Sequence, residues 1–128
     1  QAAWVWPTKS TDVSFYFGSQ QNAANRTVYS DHINIRGESD DDVYAALGGT
    51  VIDASFDPEY GNYIMIASDN NTKVIYGHLK TTLVSSGATV SAGERIGTVG
   101  ATGQATGNCL SFAVFVENQA VDPLSYYE

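Results

Sequence analysis

Cysteine occurs once in these 128 residues, at Cys109, which excludes an internal disulfide and any cysteine-rich zinc knuckle. Positive charge is scarce. Six Lys and Arg stand against 14 Asp and Glu, for a formal net charge of -8. Nucleic acid and anionic membranes both need a basic face, so neither is an expected partner. No apolar run approaches the ~20 residues that span a bilayer, and no signal peptide is visible, so the domain itself is expected not to insert in a membrane. The chain opens on Gln1 with no initiator Met. That reads as an excised domain whose export signal or membrane anchor lies upstream in a parent protein.

Helix signals are almost missing as well. What is present is enough for one domain with a real core: hydrophobic residues make up 43% of the chain, and Gly occurs 12 times. Val, Ile, Thr and Tyr are plentiful and turn pairs recur every eight to twelve residues, which predicts an all-β domain. Strands are expected over 13–17, 32–36, 43–46, 49–56, 62–68, 73–78, 95–99 and 110–117. Asp57-Pro58, Asp69-Asn70-Asn71 and Ser85-Ser86-Gly87 supply turn chemistry, and the alternation on both sides of Asn70-Asn71 predicts a hairpin there. The stretches 47–52 and 94–99 look like two copies of one theme, a Gly or charged turn leading into a short apolar strand, which suits a fold of two related β-halves. Glu38-Ser39-Asp40-Asp41-Asp42 is the one charge run. It lacks the alternating oxygen ligands and the Gly of an EF-hand loop and reads as a solvated acidic turn. Trp4 and Trp6 flank Val5 with the period of a strand, so at least one is expected on the core.

A series of segments, in order and from Trp6 to Tyr127, carries a resemblance to a known family. Trp6-Pro7 is followed by Phe15-Tyr16-Phe17-Gly18, then by the run Val43-Tyr44-Ala45-Ala46-Leu47-Gly48-Gly49-Thr50-Val51. Tyr60-Gly61-Asn62 opens one strand and Ile75-Tyr76-Gly77-His78-Leu79 forms another. Paired glycine turns follow at Gly87 and Gly93, then Thr102-Gly103-Gln104-Ala105-Thr106-Gly107-Asn108-Cys109-Leu110-Ser111-Phe112, and Val121-Asp122-Pro123 closes the chain. Together they resemble the lysostaphin/LytM-type zinc metalloendopeptidases, which cut peptidoglycan cross-links. The resemblance implies an antiparallel β barrel-sandwich hybrid, the duplicated hybrid motif of LytM-like domains, over residues 1–128. Gln20 departs from the pattern, standing where the family usually has Arg.

The family's Thr-Gly-x-Ser-Thr-Gly-x-His-Leu-His-Phe stretch carries two histidines, one binding zinc and one assisting catalysis. Cys109 and Ser111 occupy those positions here. The family's first metal motif is His-x-x-x-Asp, and two registers are open for it. One lays Ile33-Asn34-Ile35 on the family's Ile-Asp-Ile, so that Ser30 replaces the His and Asn34 the Asp. The other makes His32 a ligand, puts Arg36 at the Asp, and demands a two-residue deletion before Val43. The first is preferred because it needs no gap, and a slip of one residue reverses which side chains face the groove. By this resemblance the former metal-ligand positions are Ser30, Asn34 and Ser111, with His78 and Cys109 as the catalytic remnant. Hydroxyls and an amide bind zinc poorly beside water, so no zinc cofactor is expected beyond weak, adventitious binding. Ser30, Asn34 and Ser111 are expected to hydrogen-bond to one another where the metal would sit. A Cys109 nucleophile with His78 as base lacks an oxyanion hole and an orienting third residue; a small buried thiol is the simpler reading.

The functional expectation is a catalytically inactive LytM-like domain, a pseudoenzyme acting as a binding or regulatory module at the bacterial cell envelope or outside the cell. Its partner would be an extracellular protein or a peptidoglycan peptide, and Ser30, His32, Asn34, His78, Cys109 and Ser111 are the groove candidates. Two alternatives stay open. One is a divergent zinc endopeptidase with a displaced site of His32, His78 and a nearby Asp. The other is a carrier domain like the biotinyl, lipoyl or phosphotransferase domains, opposed by the lack of an attachment Lys and of a second active-site His.

Overall fold

A computed structural model describes residues 4–21 and 24–127. Among them twelve strands form, β1 (Asp12–Phe15), β2 (Gly18–Gln21), β3 (Thr27–Ser30), β4 (Ile33–Arg36), β5 (Asp42–Tyr44), β6 (Gly49–Asp57), β7 (Gly61–Ser68), β8 (Thr72–Thr82), β9 (Thr89–Val90), β10 (Arg95–Val99), β11 (Cys109–Val116) and β12 (Gln119–Val121), before a 3-10 turn at Pro123–Tyr126. Ten belong to one antiparallel sheet in the order β1-β4-β11-β8-β7-β6-β9. β12 lies on β11, and β10 bridges β8 to β5. β2 and β3 form a separate hairpin. This is the all-β antiparallel barrel-sandwich that the sequence predicts.

Period-two alternation decides which face each strand buries. On β4, Ile33 and Ile35 are fully buried while Asn34 and Arg36 turn the other way. On β11, Leu110, Phe112 and Val114 enter the core, leaving Cys109 and Ser111 opposite them. Ile64, Ile66, Leu79 and Ile96 complete the centre with Tyr76, each contributing about 1.5–3 kcal/mol by burial. Tyr76 is fully buried because its one polar atom has a use: its hydroxyl accepts from the Ala46 amide at 2.8 Å, ending a segment that would otherwise leave a donor orphaned.

The three-residue loop Asp69-Asn70-Asn71 joins β7 to β8 between paired Ser68 and Thr72, with Asn70 and Asn71 both at positive φ (62° and 56°), a conformation Asn tolerates better than most residues. Trp4 and Trp6 both pack: Trp4 stacks on Tyr126 with ring centroids 4.1 Å apart, and Trp6 meets Tyr127 edge-on at 4.9 Å. The acidic run is a surface turn held by cations from three segments. Lys80 reaches Asp40 at 3.0 Å, Lys9 reaches Asp41 at 3.4 Å, and Arg95 reaches Asp42 at 2.6 Å. β2, β3, β9 and β12 were not legible in the sequence. They are two to four residues long, and segments such as Gly18–Gln21 carry no apolar alternation.

Replacing Tyr76 with Phe keeps the ring but strands the buried Ala46 N–H. A loss of about 1–3 kcal/mol is expected, read as a lower urea midpoint with an unchanged denaturant slope. A midpoint equal to wild type would show that this hydrogen bond does not support the core.

Candidate functional site

The register of β4 on β11 places Asn34 directly across from Ser111 and Arg36 across from Cys109, while Ser111 also faces Gly77 of β8. Directly opposed residues project to the same face of a sheet. A cleft of about 530 Å³ opens over this face, its lining including Asn34, Arg36, His78 and Cys109, with Phe15 and the 104–108 loop as walls. Ser111 is 4% exposed and sits beside Asn34 beneath it.

His78 reaches the cleft through a backbone irregularity. The β7–β8 register shifts between Asn62 and Ile64, and His78 takes φ 63°, uncommon for a residue with a Cβ. The amide of His78 donates to the Tyr60 carbonyl at 2.6 Å, and its Nδ1 meets the Thr102 carbonyl at 2.8 Å. A carbonyl only accepts, so Nδ1 carries the proton and Nε2 is the free lone pair of the neutral ring. Burial pushes the His78 pKa below its usual value, with nearby His32 adding to that and the Thr102 bond opposing it. Burial also pushes the Cys109 thiol up, against a smaller pull from Arg36, and a thiol held protonated is a poor nucleophile.

Thr102 escaped the sequence reading although it lies inside a quoted motif. Its hydroxyl donates to the Leu79 carbonyl at 2.7 Å and accepts from the Asn62 amide at 3.1 Å, so one residue ties three segments and orients the imidazole. The adjoining glycines explain their own positions. Gly61 and Gly103 have φ 69° and 72°, and a Cβ on Gly103 would come within 2.8 Å of the Gly61 Cα. Only glycine allows that approach, which joins the Tyr60-Gly61-Asn62 motif to the Thr102-Gly103 motif.

Of the six groove candidates, Asn34, His78 and Cys109 line the cleft, whereas Ser30, His32 and Ser111 do not. Ser30 is 3% exposed, but its hydroxyl is spent on its own turn, donating to the His32 carbonyl at 2.8 Å and accepting from the His32 amide at 3.2 Å. His32 Nδ1 lies 3.0 Å from Asp31 Oδ1. The expected network of Ser30, Asn34 and Ser111 is therefore corrected. Among the described residues Asn34 Oδ1 is buried with no hydrogen-bond partner, and the Ser30 hydroxyl assigned to it is engaged locally.

These donors do not fit zinc. Zinc sites of hydrolases are built from three His, Cys or carboxylate ligands and one open position. Of such side chains the cleft lining holds two, His78 and Cys109, beside the neutral amide of Asn34. Among the described residues no three His, Cys, Asp or Glu side chains are grouped to hold a metal, so the displaced site of His32, His78 and an Asp has no geometric support. A carrier attachment point has none either, since Pro58, Glu59, Tyr60, Asn70 and Asn71 occupy the tips of the β6–β7 and β7–β8 hairpins.

Comparison with known proteins returns one family. The model of peptidase family M23 matches residues 28–123. The chain is similar to the uncharacterized lipoprotein YgeR of Escherichia coli, 33% identical over 127 residues, covering 98% of this chain and 47% of that protein. It is also similar to the peptidoglycan DD-endopeptidase ShyB of Vibrio cholerae, 40% identical over 82 residues, covering 64% of this chain and 19% of that one. Among solved structures a zinc-containing peptidase from Vibrio cholerae superposes with a TM-score of 0.87 at 30% identity, covering 95% of this chain and 39% of its own. The chain thus spans less than half the length of these relatives.

His78 is expected to titrate below 6.5 in an NMR experiment. With a folded pKa below the unfolded one, the unfolded chain takes up the proton first as the solution is acidified. The contribution of neutral His78 to stability is then complete above about pH 6.5 and drains away as pH falls through the interval down to the folded pKa. Between pH 7 and 5 wild type should lose more stability than His78→Gln, which cannot titrate. Equal losses, or a titration at or above 6.5, would refute the buried neutral imidazole.

Proposed function

This chain belongs to peptidase family M23, and on that footing we propose that it is a non-catalytic member, a binding or regulatory module of the bacterial cell envelope working outside the cytoplasm. Hydrolysis by a metal-bound water requires a metal that polarises the water and the amide. The positions that resemble the family's ligands hold Ser30, Asn34 and Ser111, and their neutral oxygens cannot supply the charge or softness that fixes zinc. Of the residues that resemble its assisting pair, His78 is retained with Nδ1 committed to Thr102, and the other is Cys109.

One observation carries the binding half of the reading: the buried, unpartnered Asn34 Oδ1 beside a walled cleft. A buried acceptor without a donor costs about 1–3 kcal/mol. Rotation of the Asn34 amide, which lines the cleft, would turn that oxygen toward a ligand N–H and recover this, and the backbone of an extended peptide is the simplest such ligand. The cleft therefore suits a peptidoglycan stem peptide or an extended segment of an extracellular partner protein. Similarity to a peptidoglycan DD-endopeptidase, ShyB, and to a lipoprotein, YgeR, supports an envelope setting.

Two outcomes are expected. Dye-labelled cell-wall sacculi should release no soluble fragments in the presence of added zinc, and release abolished by chelator would overturn the non-catalytic reading. Muropeptides or an extracellular partner segment should bind wild type and lose at least about tenfold in affinity to Asn34→Trp, which fills the cleft and removes the acceptor. Binding unchanged by Asn34→Trp would move the function away from the cleft.

A further inference from the structure

β6 is paired on both sides only at its beginning. Gly49 pairs with β9, Thr50 pairs with both β7 and β9, and Val51 exchanges 2.8 Å backbone bonds with Ala88 and Gly87 on the β9 side. Beyond that point the order β7-β6-β9 contributes no further strand. Among the described residues, Ile52 to Asp57 have β7 on one side and no paired strand on the other. Alternate backbone N–H and C=O groups of such a stretch point outward in the plane of the sheet.

The side chains along this edge are not those of an ordinary solvated rim. Ile52, the extra residue of a bulge against β7, is 44% exposed, and Phe56 is 63% exposed. Between them Asp53 is fixed, its carboxylate accepting from the hydroxyls of Ser55 and Tyr63, both at 2.6 Å. These two bonds also hold its pKa below the usual carboxylate value. Asp57 and Glu59 continue the negative charge to the end of the strand. Four Asp elsewhere on the molecule are matched by a cation, with Lys9, Arg36, Lys80 and Arg95 each paired to one of them. No ion pair among the described residues reaches Asp53, Asp57 or Glu59.

We propose that the β6 edge from Ile52 to Asp57 receives an extended partner segment by strand addition, and that the segment alternates apolar with basic residues. Main-chain bonds to the open edge supply affinity and side chains set the choice of partner. Apolar residues cover Ile52 and Phe56, and Lys or Arg meets the unmatched acids. A second copy of this chain is the wrong occupant. It would set Asp53 and Asp57 against their own copies on a molecule of net charge -8, and charge on an edge strand is a means of preventing self-pairing. The assignment stands apart from the reading of the cleft, because the two surfaces use different strands.

The test is an NMR titration of the 15N-labelled chain with a blocked octapeptide of alternating Lys and Val. Two controls accompany it: the same peptide N-methylated at alternate residues, and an alternating Glu and Val peptide. Shift changes should fall on 52–57 and the facing β7 amides. Affinity should drop about tenfold or more on N-methylation, which removes edge hydrogen bonds without altering charge. It should also weaken severalfold in Asp53→Asn combined with Glu59→Gln, and the acidic peptide should not bind. Equal binding of the N-methylated peptide would reduce the effect to undirected electrostatics and overturn the proposal. So would shifts confined to the cleft, or no binding of the Lys and Val peptide at low salt, where charge attraction is least screened.

Discussion

The pairing of β4 with β11 fixes the cleft, because the same register that sets Asn34 across from Ser111 also sends Ile33, Ile35, Leu110 and Phe112 into the core. A slip of one residue would expose two fully buried isoleucines and bury Arg36, at a cost of several kcal/mol. The floor of the cleft is therefore not free to drift even though its own side chains make few contacts. The core enforces the site from below, which is why a set of chemically mild residues can be held in an active-site arrangement.

Above that floor the scaffold is tied as tightly as a working catalytic centre would need. Thr102 anchors β7, β8 and the loop that walls the cleft, and its carbonyl fixes the His78 ring. Gly61 and Gly103 permit the close backbone approach behind it. The chemistry carried by this frame is weak. The imidazole is neutral and half committed, the thiol is pushed toward its protonated form, and Asn34 presents a buried acceptor without a donor. Orientation without activation is what the proposed binding role requires, and under that proposal the unsatisfied amide oxygen is the group a ligand would pair.

Much of this was legible in the chain. Alternation in 62–68, 73–78 and 110–117 located the central strands, and the Asn70-Asn71 pair located their hairpin, because both signals are local. The register without a gap put Asn34 and Ser111 among the groove candidates, and the pairing of β4 with β11 sets the two side by side. What escaped depends on contacts far apart in sequence. The short strands 18–21 and 89–90 owe their form to pairing rather than to apolar pattern. Thr102 acquires its role only when Asn62, His78 and Leu79 are brought to it. Ser30 was expected to join Asn34, but a two-residue turn to His32 captured its hydroxyl, a local competition that residue identity does not reveal.

Zinc content measured by elemental analysis on protein purified without chelator tests the central claim most directly, with the variant Ser30→His, Asn34→Asp, Ser111→His alongside wild type. If the frame persists and only the donors are missing, wild type stays well below stoichiometric zinc while the triple variant takes up the metal, since replacing Ser30 also removes the hydroxyl that ties this position to the His32 backbone, leaving an imidazole there to join the two new donors on β4 and β11. Stoichiometric zinc on wild type, lost in Asn34→Ala or Ser111→Ala, would contradict the account.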